Sequence, residues 1–134
     1  MSAAVEVRPY GRADLDGVIG LCAAEGWPSF PADPARAHRA LTAPGVTSVV
    51  AAADGEVVGF AQLLSDGEIQ AHLSLIATAA AHRGQGIARR MLALALERAG
   101  GGRIDLVTDS AEDFYAGLQH HRMAGFRIYP PFAR

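Results

Sequence analysis

The residues best suited to chemistry lie in Arg83-Gly84-Gln85-Gly86-Ile87-Ala88. Here a strand-like run ending at Thr78 passes through a glycine-bearing loop into a helix-like pattern. The first turn of a helix carries backbone N–H groups without internal acceptors, at the positive end of the helix dipole. Gly84 and Gly86 have no Cβ, so an oxyanion can approach those amides closely. Arg83 sets a permanent cation beside them, and Arg89 and Arg90 follow in the same turn. These are the physical requirements of a pyrophosphate cradle. The two glycines suit an ordinary strand-to-helix turn equally well, so their spacing alone leaves both readings open.

Two familiar phosphate motifs are excluded. A P-loop needs Gly-Lys-Ser/Thr, and the chain contains no lysine. The dinucleotide fingerprint G-x-G-x-x-G would need a third glycine where Arg89 stands. Asp105 lies near the expected ribose-binding distance, but antiparallel-type strands precede the loop instead of a βαβ unit. The missing lysine also removes Schiff-base and pyridoxal-anchoring chemistry.

A second group of candidates comes from the alternation of Ile69–Thr78. Ile69, Ala71, Leu73, Leu75 and Ala77 are expected on one apolar face. Gln70, His72, Ser74, Ile76 and Thr78 fall on the other, which would look into solvent or a wet cleft. His72, with an ordinary pKa of about 6.5, suits a general base near neutrality; a structural histidine on a sheet face is the plainer alternative. Adjacent His120 and His121 lack a second ligand cluster at metal-binding spacing, so no metal is expected. Cys22 falls on an apolar helical stripe and reads as packing. Asp66, Glu68 and Glu25 read either as amine-binding carboxylates or as surface charge.

These residues sit in a chain of 134 residues, half hydrophobic and 19% charged, with a formal charge of −2. That length fits one domain spanning residues 1–134, and the composition is that of a folded chain. The slight negative charge argues against a general nucleic-acid binder. No run of 18 apolar residues occurs, so no membrane span is expected. Met1-Ser2-Ala3-Ala4-Val5-Glu6 lacks the basic and apolar regions of a secretory leader. A single cysteine permits no intrachain disulfide, and a reducing cytoplasm is the simple expectation.

The elements follow from periodicity and punctuation. Val5–Arg8 alternates as a strand stopped by Pro9, and Asp14 is placed to cap a helix running to about residue 24. Gly26–Pro31 reads as a turn-rich loop. Asp33 with Pro34 opens a second helix to about Thr42. Val46–Ala53, Asp54-Gly55 and Glu56–Leu64 form a hairpin signature, and Asp66-Gly67 turns the chain into Ile69–Thr78. Gly86–Ala99 has a helical apolar face that Gly100-Gly101-Gly102 ends. Ile104–Thr108 reads as a strand, Ser110 as the cap of a helix holding Phe114 and Tyr115, and Gly125–Tyr129 as a last strand. The order β-α-α-β-β-β-α-β-α-β defines a mixed α/β (α+β) domain.

At this level the chain resembles the GNAT N-acetyltransferase superfamily. Arg83-Gly84-Gln85-Gly86-Ile87-Ala88 is similar to its Q/R-x-x-G-x-G/A signature at every specified position. The flanks agree from Val5 to Tyr129: a strand before it, an amphipathic helix after it, then a strand, an Ala-x-x-Phe-Tyr helix and a Gly-Phe segment. One departure is Ala80, where the family often has proline. The resemblance implies an acyl-CoA N-acyltransferase fold, with a mostly antiparallel central sheet flanked by helices. Its strands four and five splay apart to admit acetyl-CoA. It further implies that backbone amides of Arg83, Gly84, Gln85, Gly86, Ile87 and Ala88 hold the CoA pyrophosphate. The main chain of Ile76 and Thr78 would pair with the pantetheine arm.

The same resemblance implies roles for side chains. Some members project a general base about six residues before the end of the pantetheine-pairing segment, and counting back from Thr78 reaches His72. Tyr115 matches the tyrosine that can protonate the departing CoA thiolate; plain core packing of Phe114 and Tyr115 is the alternative. The family commonly has Tyr-x-x-x-Gly-Phe, whereas Ala116–Ala124 separates Tyr115 from Gly125 here. Four residues before Gly125 stands His121, so either residue can occupy the acid position. Trp27 and Phe30 fall where the family commonly lines its acceptor site. The expectation is therefore an acetyl-CoA-dependent N-acetyltransferase acting on an amine acceptor by direct transfer in a ternary complex. A non-catalytic acyl-CoA-binding or regulatory module of the same fold is the rival reading, and a nucleotide-binding protein a third. Dimers are common in the family, though nothing in the sequence demands a homodimer.

Overall fold

The computed structural model describes residues 4–132. Its centre is a hairpin pair: β2 (Val46–Ala53) and β3 (Glu56–Ser65) are joined by Asp54-Gly55. Both turn residues have positive φ, 51° and 80°, the twist a two-residue hairpin requires. β1 (Val5–Pro9) pairs with β2, and β4 (Gln70–Thr78) pairs with β3, all antiparallel. β5 (Arg103–Asp105) adds to β4 in parallel, giving the order β1-β2-β3-β4-β5.

Helices cover both faces. On one, α4 (Ile87–Ala99) sinks Ile87, Met91 and Ala95 onto Val49, Ala61 and Leu63. On the other, α1 (Leu15–Glu25) and α3 (Pro34–Leu41) bury Val18, Cys22 and Leu41 against Val50 and Phe60. Asp33 caps α3 as its sequence predicts, accepting from the Arg36 amide at 3.2 Å with Pro34 at the first helical position. Met91 is fully buried, so truncation to alanine is expected to cost about 2–5 kcal/mol.

Several local expectations are corrected. Asp14 stands at the N-cap position of α1, but its side chain makes no capping bond there; it ends a 3₁₀ turn (Arg12–Asp14), and its carboxylate is held by Arg8 at 2.7 and 2.9 Å and by the Gly11 amide at 2.9 Å. The loop after α1 contains a one-turn helix, α2 (Ser29–Ala32). β5 stops at Asp105 instead of reaching Thr108. Thr108, not Ser110, serves the start of α5 (Glu112–Ala116), its hydroxyl accepting from the Ala111 amide at 3.0 Å.

The expected last strand, Gly125–Tyr129, is not formed, and residues 120–130 have no helix or strand. A strand needs a neighbouring ladder, and β5 ends before it could offer one. Gly125 instead abuts the Val107 side chain, so closely that a Cβ there would stand 2.5 Å from Val107 Cγ1. Phe126, Ile128 and Tyr129 are left exposed.

Candidate functional site

The site begins where the sheet opens. β4 and β5 pair only at Gln70/Arg103, Ala71/Ile104 and His72/Asp105. β4 runs on to Thr78 while β5 ends, so from Leu73 onward β4 has no strand neighbour on that side. Backbone groups on such an edge require partners, and an extended ligand can supply them.

β4 also changes face midway. Gln62 pairs with Leu75 and Leu63 with Leu73, so Ser74 is an extra residue, a β-bulge. Before it, Ala71 and Leu73 join the α4-side cluster; after it, Leu75 and Ala77 join the α1-side cluster. The single apolar face expected for Ile69–Ala77 is therefore split, because strict alternation assumes a ladder without a bulge.

Beyond β4 the chain makes a 3₁₀ turn (Ala80–His82) and then a loop with Gly84 and Gly86 at φ of 77° and 79°. Those angles suit glycine, and a Cβ on either residue would meet nothing within 4 Å. The space before the loop is therefore open. Gly86 caps α4, and the Arg90 amide donates to Gly86 O at 3.1 Å. The amides of Ile87, Ala88 and Arg89 precede that bond and have no helical acceptor.

The arginines are placed differently from expectation. Arg83 does not face the amides: its Nε donates to Thr78 O at 3.0 Å and its Nη2 to Glu25 at 2.6 Å. Arg90 reaches the Val5 carbonyl at 2.9 Å. What the loop leaves open is main chain, with Gln85 exposed and Ile87 anchored in the core.

His72 is exposed, the last β4 residue paired with β5, and shares the wall of a cavity of about 510 Å³ with Asp105 and Leu64. Tyr115 packs half-buried against the α4-side cluster and edge-on to Phe114, with ring centroids 5.0 Å apart. Burial pushes its phenol above the usual tyrosine range, so it holds its proton at neutral pH. His121 lies exposed in the irregular 120–130 segment. Among the described residues, no hydrogen bond joins His72, Tyr115 and His121, and no cluster of three metal-ligating side chains occurs.

A second cavity, about 460 Å³, lies between α1–α3 and the sheet and is walled by Trp27, Phe30, Leu64, Leu75, Gln62 and Ser74. Cys22 forms part of its floor, and burial pushes that thiol up to about 11. Ser74 belongs to the face of β4 expected to look into a wet cleft, whereas Gln62 is a new site residue. The signal for Gln62 was present, a lone polar residue in Phe60-Ala61-Gln62-Leu63-Leu64. The bulge at Ser74 left none.

The chain belongs to the acetyltransferase (GNAT) family, whose model matches residues 15–126. Its fold is shared by solved structures of low identity. One is a transcriptional regulator from Bacillus halodurans C-125: 24% identity, TM-score 0.77, covering 94% of this chain and 99% of that one. Another is an aminoglycoside N-acetyltransferase in complex with CoA: 19% identity, TM-score 0.76, covering 97% of each chain. A third is a ribosomal-protein-alanine N-acetyltransferase from Brucella melitensis biovar Abortus 2308: 19% identity, TM-score 0.73, covering 94% of this chain and 99% of that one. No curated protein matches the chain. Among the described residues, no helix is long and apolar enough to cross a membrane.

Proposed function

We propose that the chain is an acetyl-CoA-dependent N-acetyltransferase that passes the acetyl group directly to a primary amine within a ternary complex. The observation that carries this reading is the β4 edge, unpaired from Leu73 to Thr78, leading into the open cradle at Gly84 and Gly86. One domain, residues 1–134, would carry the activity in the cytoplasm.

Acetyl-CoA, when bound, supplies the activated thioester. Amides of residues 84–88 receive the pyrophosphate at the positive end of α4, the Arg83 amide being turned to Ala80 O at 3.4 Å. The main chain of Ile76 and Thr78 aligns the pantetheine arm as an added strand. Backbone N–H groups of β4 near the Ser74 bulge stabilise the oxyanion that develops on the carbonyl. His72, directly or through one water, takes the proton that the attacking nitrogen releases. Tyr115 gives its proton to the sulfur as the C–S bond breaks and the N–C bond forms.

Isothermal titration with acetyl-CoA, with ATP and NAD as controls, tests the reading. Saturable binding of acetyl-CoA that the nucleotides do not match is expected. A folded sample that ignores acetyl-CoA overturns the cradle and every role above. The packing of Tyr115 into the α4-side cluster, together with the irregular 120–130 segment, favours one rival: a non-catalytic acyl-CoA-binding module. Tight acetyl-CoA binding without acetylation of any amine in a wide panel would select it.

A further inference from the structure

The cavity between α1–α3 and the sheet has a composition that speaks to what fills it. Trp27, Phe30, Leu64 and Leu75 supply its apolar walls, and among the described residues no Asp, Glu, Arg or His lines it. Its polar side chains, Ser29, Gln62 and Ser74, are all neutral. Gln62 is only 6% exposed, and its Nε2 is engaged with Ala40 O at 3.1 Å. Gln62 keeps a second Nε2 N–H and its carbonyl oxygen, one neutral donor and one neutral acceptor.

The cavity runs towards the proposed chemistry. Ser74 and Leu75, at the β4 bulge, form one wall. The neighbouring cavity that holds His72 shares Val46 and Leu64 with it. A ligand with its body between Trp27 and Phe30 therefore directs its other end towards Ser74 and His72. The carboxylates lie at that end, Asp66 and Asp105 in the cavity of His72, where they face the amine rather than the body. A second positive charge carried on the body between Trp27 and Phe30 would lose its water with no carboxylate among the described residues of that cavity to replace it.

Resting on the acetyltransferase reading, we infer that the acceptor is a small primary amine with one aryl or branched-alkyl body and no second charge. The apolar body fills the Trp27–Phe30 cavity, and the amine reaches Ser74 and His72. A polycationic acceptor is disfavoured by the same walls.

Trp27 is the sole tryptophan, so its fluorescence reports on this cavity alone. CoA-saturated protein is titrated with 2-phenylethylamine and, separately, with the polycationic aminoglycoside neamine. A saturable fluorescence change is expected with 2-phenylethylamine at an affinity at least about tenfold above that for neamine. Leu64→Gln, at a residue 40% exposed and so tolerant of a polar group, removes apolar wall without adding charge and should weaken 2-phenylethylamine at least about tenfold while acetyl-CoA affinity stays the same. Neamine binding as tightly, no saturable response, or indifference to Leu64→Gln overturns the inference. Calorimetric binding of acetyl-CoA is read on the same samples. Its loss in the parent protein would instead remove the acetyltransferase reading, so the two failures are distinct.

Discussion

Arg83 and Glu25, 58 residues apart in sequence, meet at 2.6 Å and tie the end of α1 to the loop that opens α4. The same guanidinium holds the Thr78 carbonyl, so one side chain links the end of α1, the end of β4 and the glycine loop. Its charge is thereby directed away from the open amides. Arg83→Ala is expected to lower acetyl-CoA affinity by less than about tenfold, because the cradle is main chain. The exposed ion pair itself should contribute roughly 0.2–1 kcal/mol to stability. Calorimetry and thermal melts read the two effects; an affinity loss above about a hundredfold would mean that the guanidinium turns onto phosphate.

Gly86→Glu tests the cradle directly. Its φ of 79° strains any L side chain, by about 1–2 kcal/mol, and the new carboxylate enters the space an oxyanion would use. Acetyl-CoA affinity should fall roughly 100-fold or more, the scale of two lost charge-assisted hydrogen bonds. Circular dichroism should still report a folded protein. Undiminished binding would sink the assignment.

Tyr115→Phe removes the hydroxyl and keeps the ring against Phe114. A drop in kcat of roughly 100-fold at saturating substrates, with Tm and the acetyl-CoA KM held, is expected of a lost general acid. An unchanged kcat would return Tyr115 to a packing role.

Stability at acid pH should depend on Asp14. The Arg8 guanidinium and the Gly11 amide hold its carboxyl below the usual value of 3.8. A lowered native pKa contributes stability in full above the unfolded value, and that contribution is lost as pH falls through the native one. Asp14→Ala should cost roughly 1.5–3 kcal/mol at neutral pH and progressively less in acid. Urea melts from pH 7 downward check this; a constant difference across that range would contradict it.

Cys22 should be inert in the native state. It is 1% exposed with its thiol pushed up to about 11, so little thiolate exists at pH 8 and none of it is accessible. A colorimetric disulfide reagent should react promptly in denaturant and only at the opening rate without it. Fast native reaction would show that the cavity floor is open.

How much of this could be read in the sequence depends on how local each signal is. The Asp54-Gly55 hairpin, the Asp33-Pro34 helix start and the Gly86 boundary of α4 are set by neighbouring residues and were legible. So was the glycine loop before α4, because its requirement is backbone geometry at Gly84 and Gly86. The direction of Arg83 was not, since its partner Glu25 arrives from α1. The position of Asp14 at the start of α1 was legible but the use of its side chain was not, for the same reason: a cap and an ion pair compete for one carboxylate, and Arg8 is brought to it by β1. Gly125–Tyr129 has strand-forming residues but no ladder to join, which residue preference alone does not reveal.

The bulge at Ser74 limits how the chain can change its length. Ala71 and Leu73 serve one layer and Leu75 and Ala77 the other, and their β3 partners Leu63 and Gln62 are adjacent residues on opposite faces, so dropping Ser74 would leave both pairs where they are. A residue lost or gained elsewhere in β4 would instead send the side chains beyond it across the sheet. The 120–130 stretch has no ladder to keep in step and can absorb extra residues freely. Changes of length are open at the chain's far end and, within β4, at Ser74.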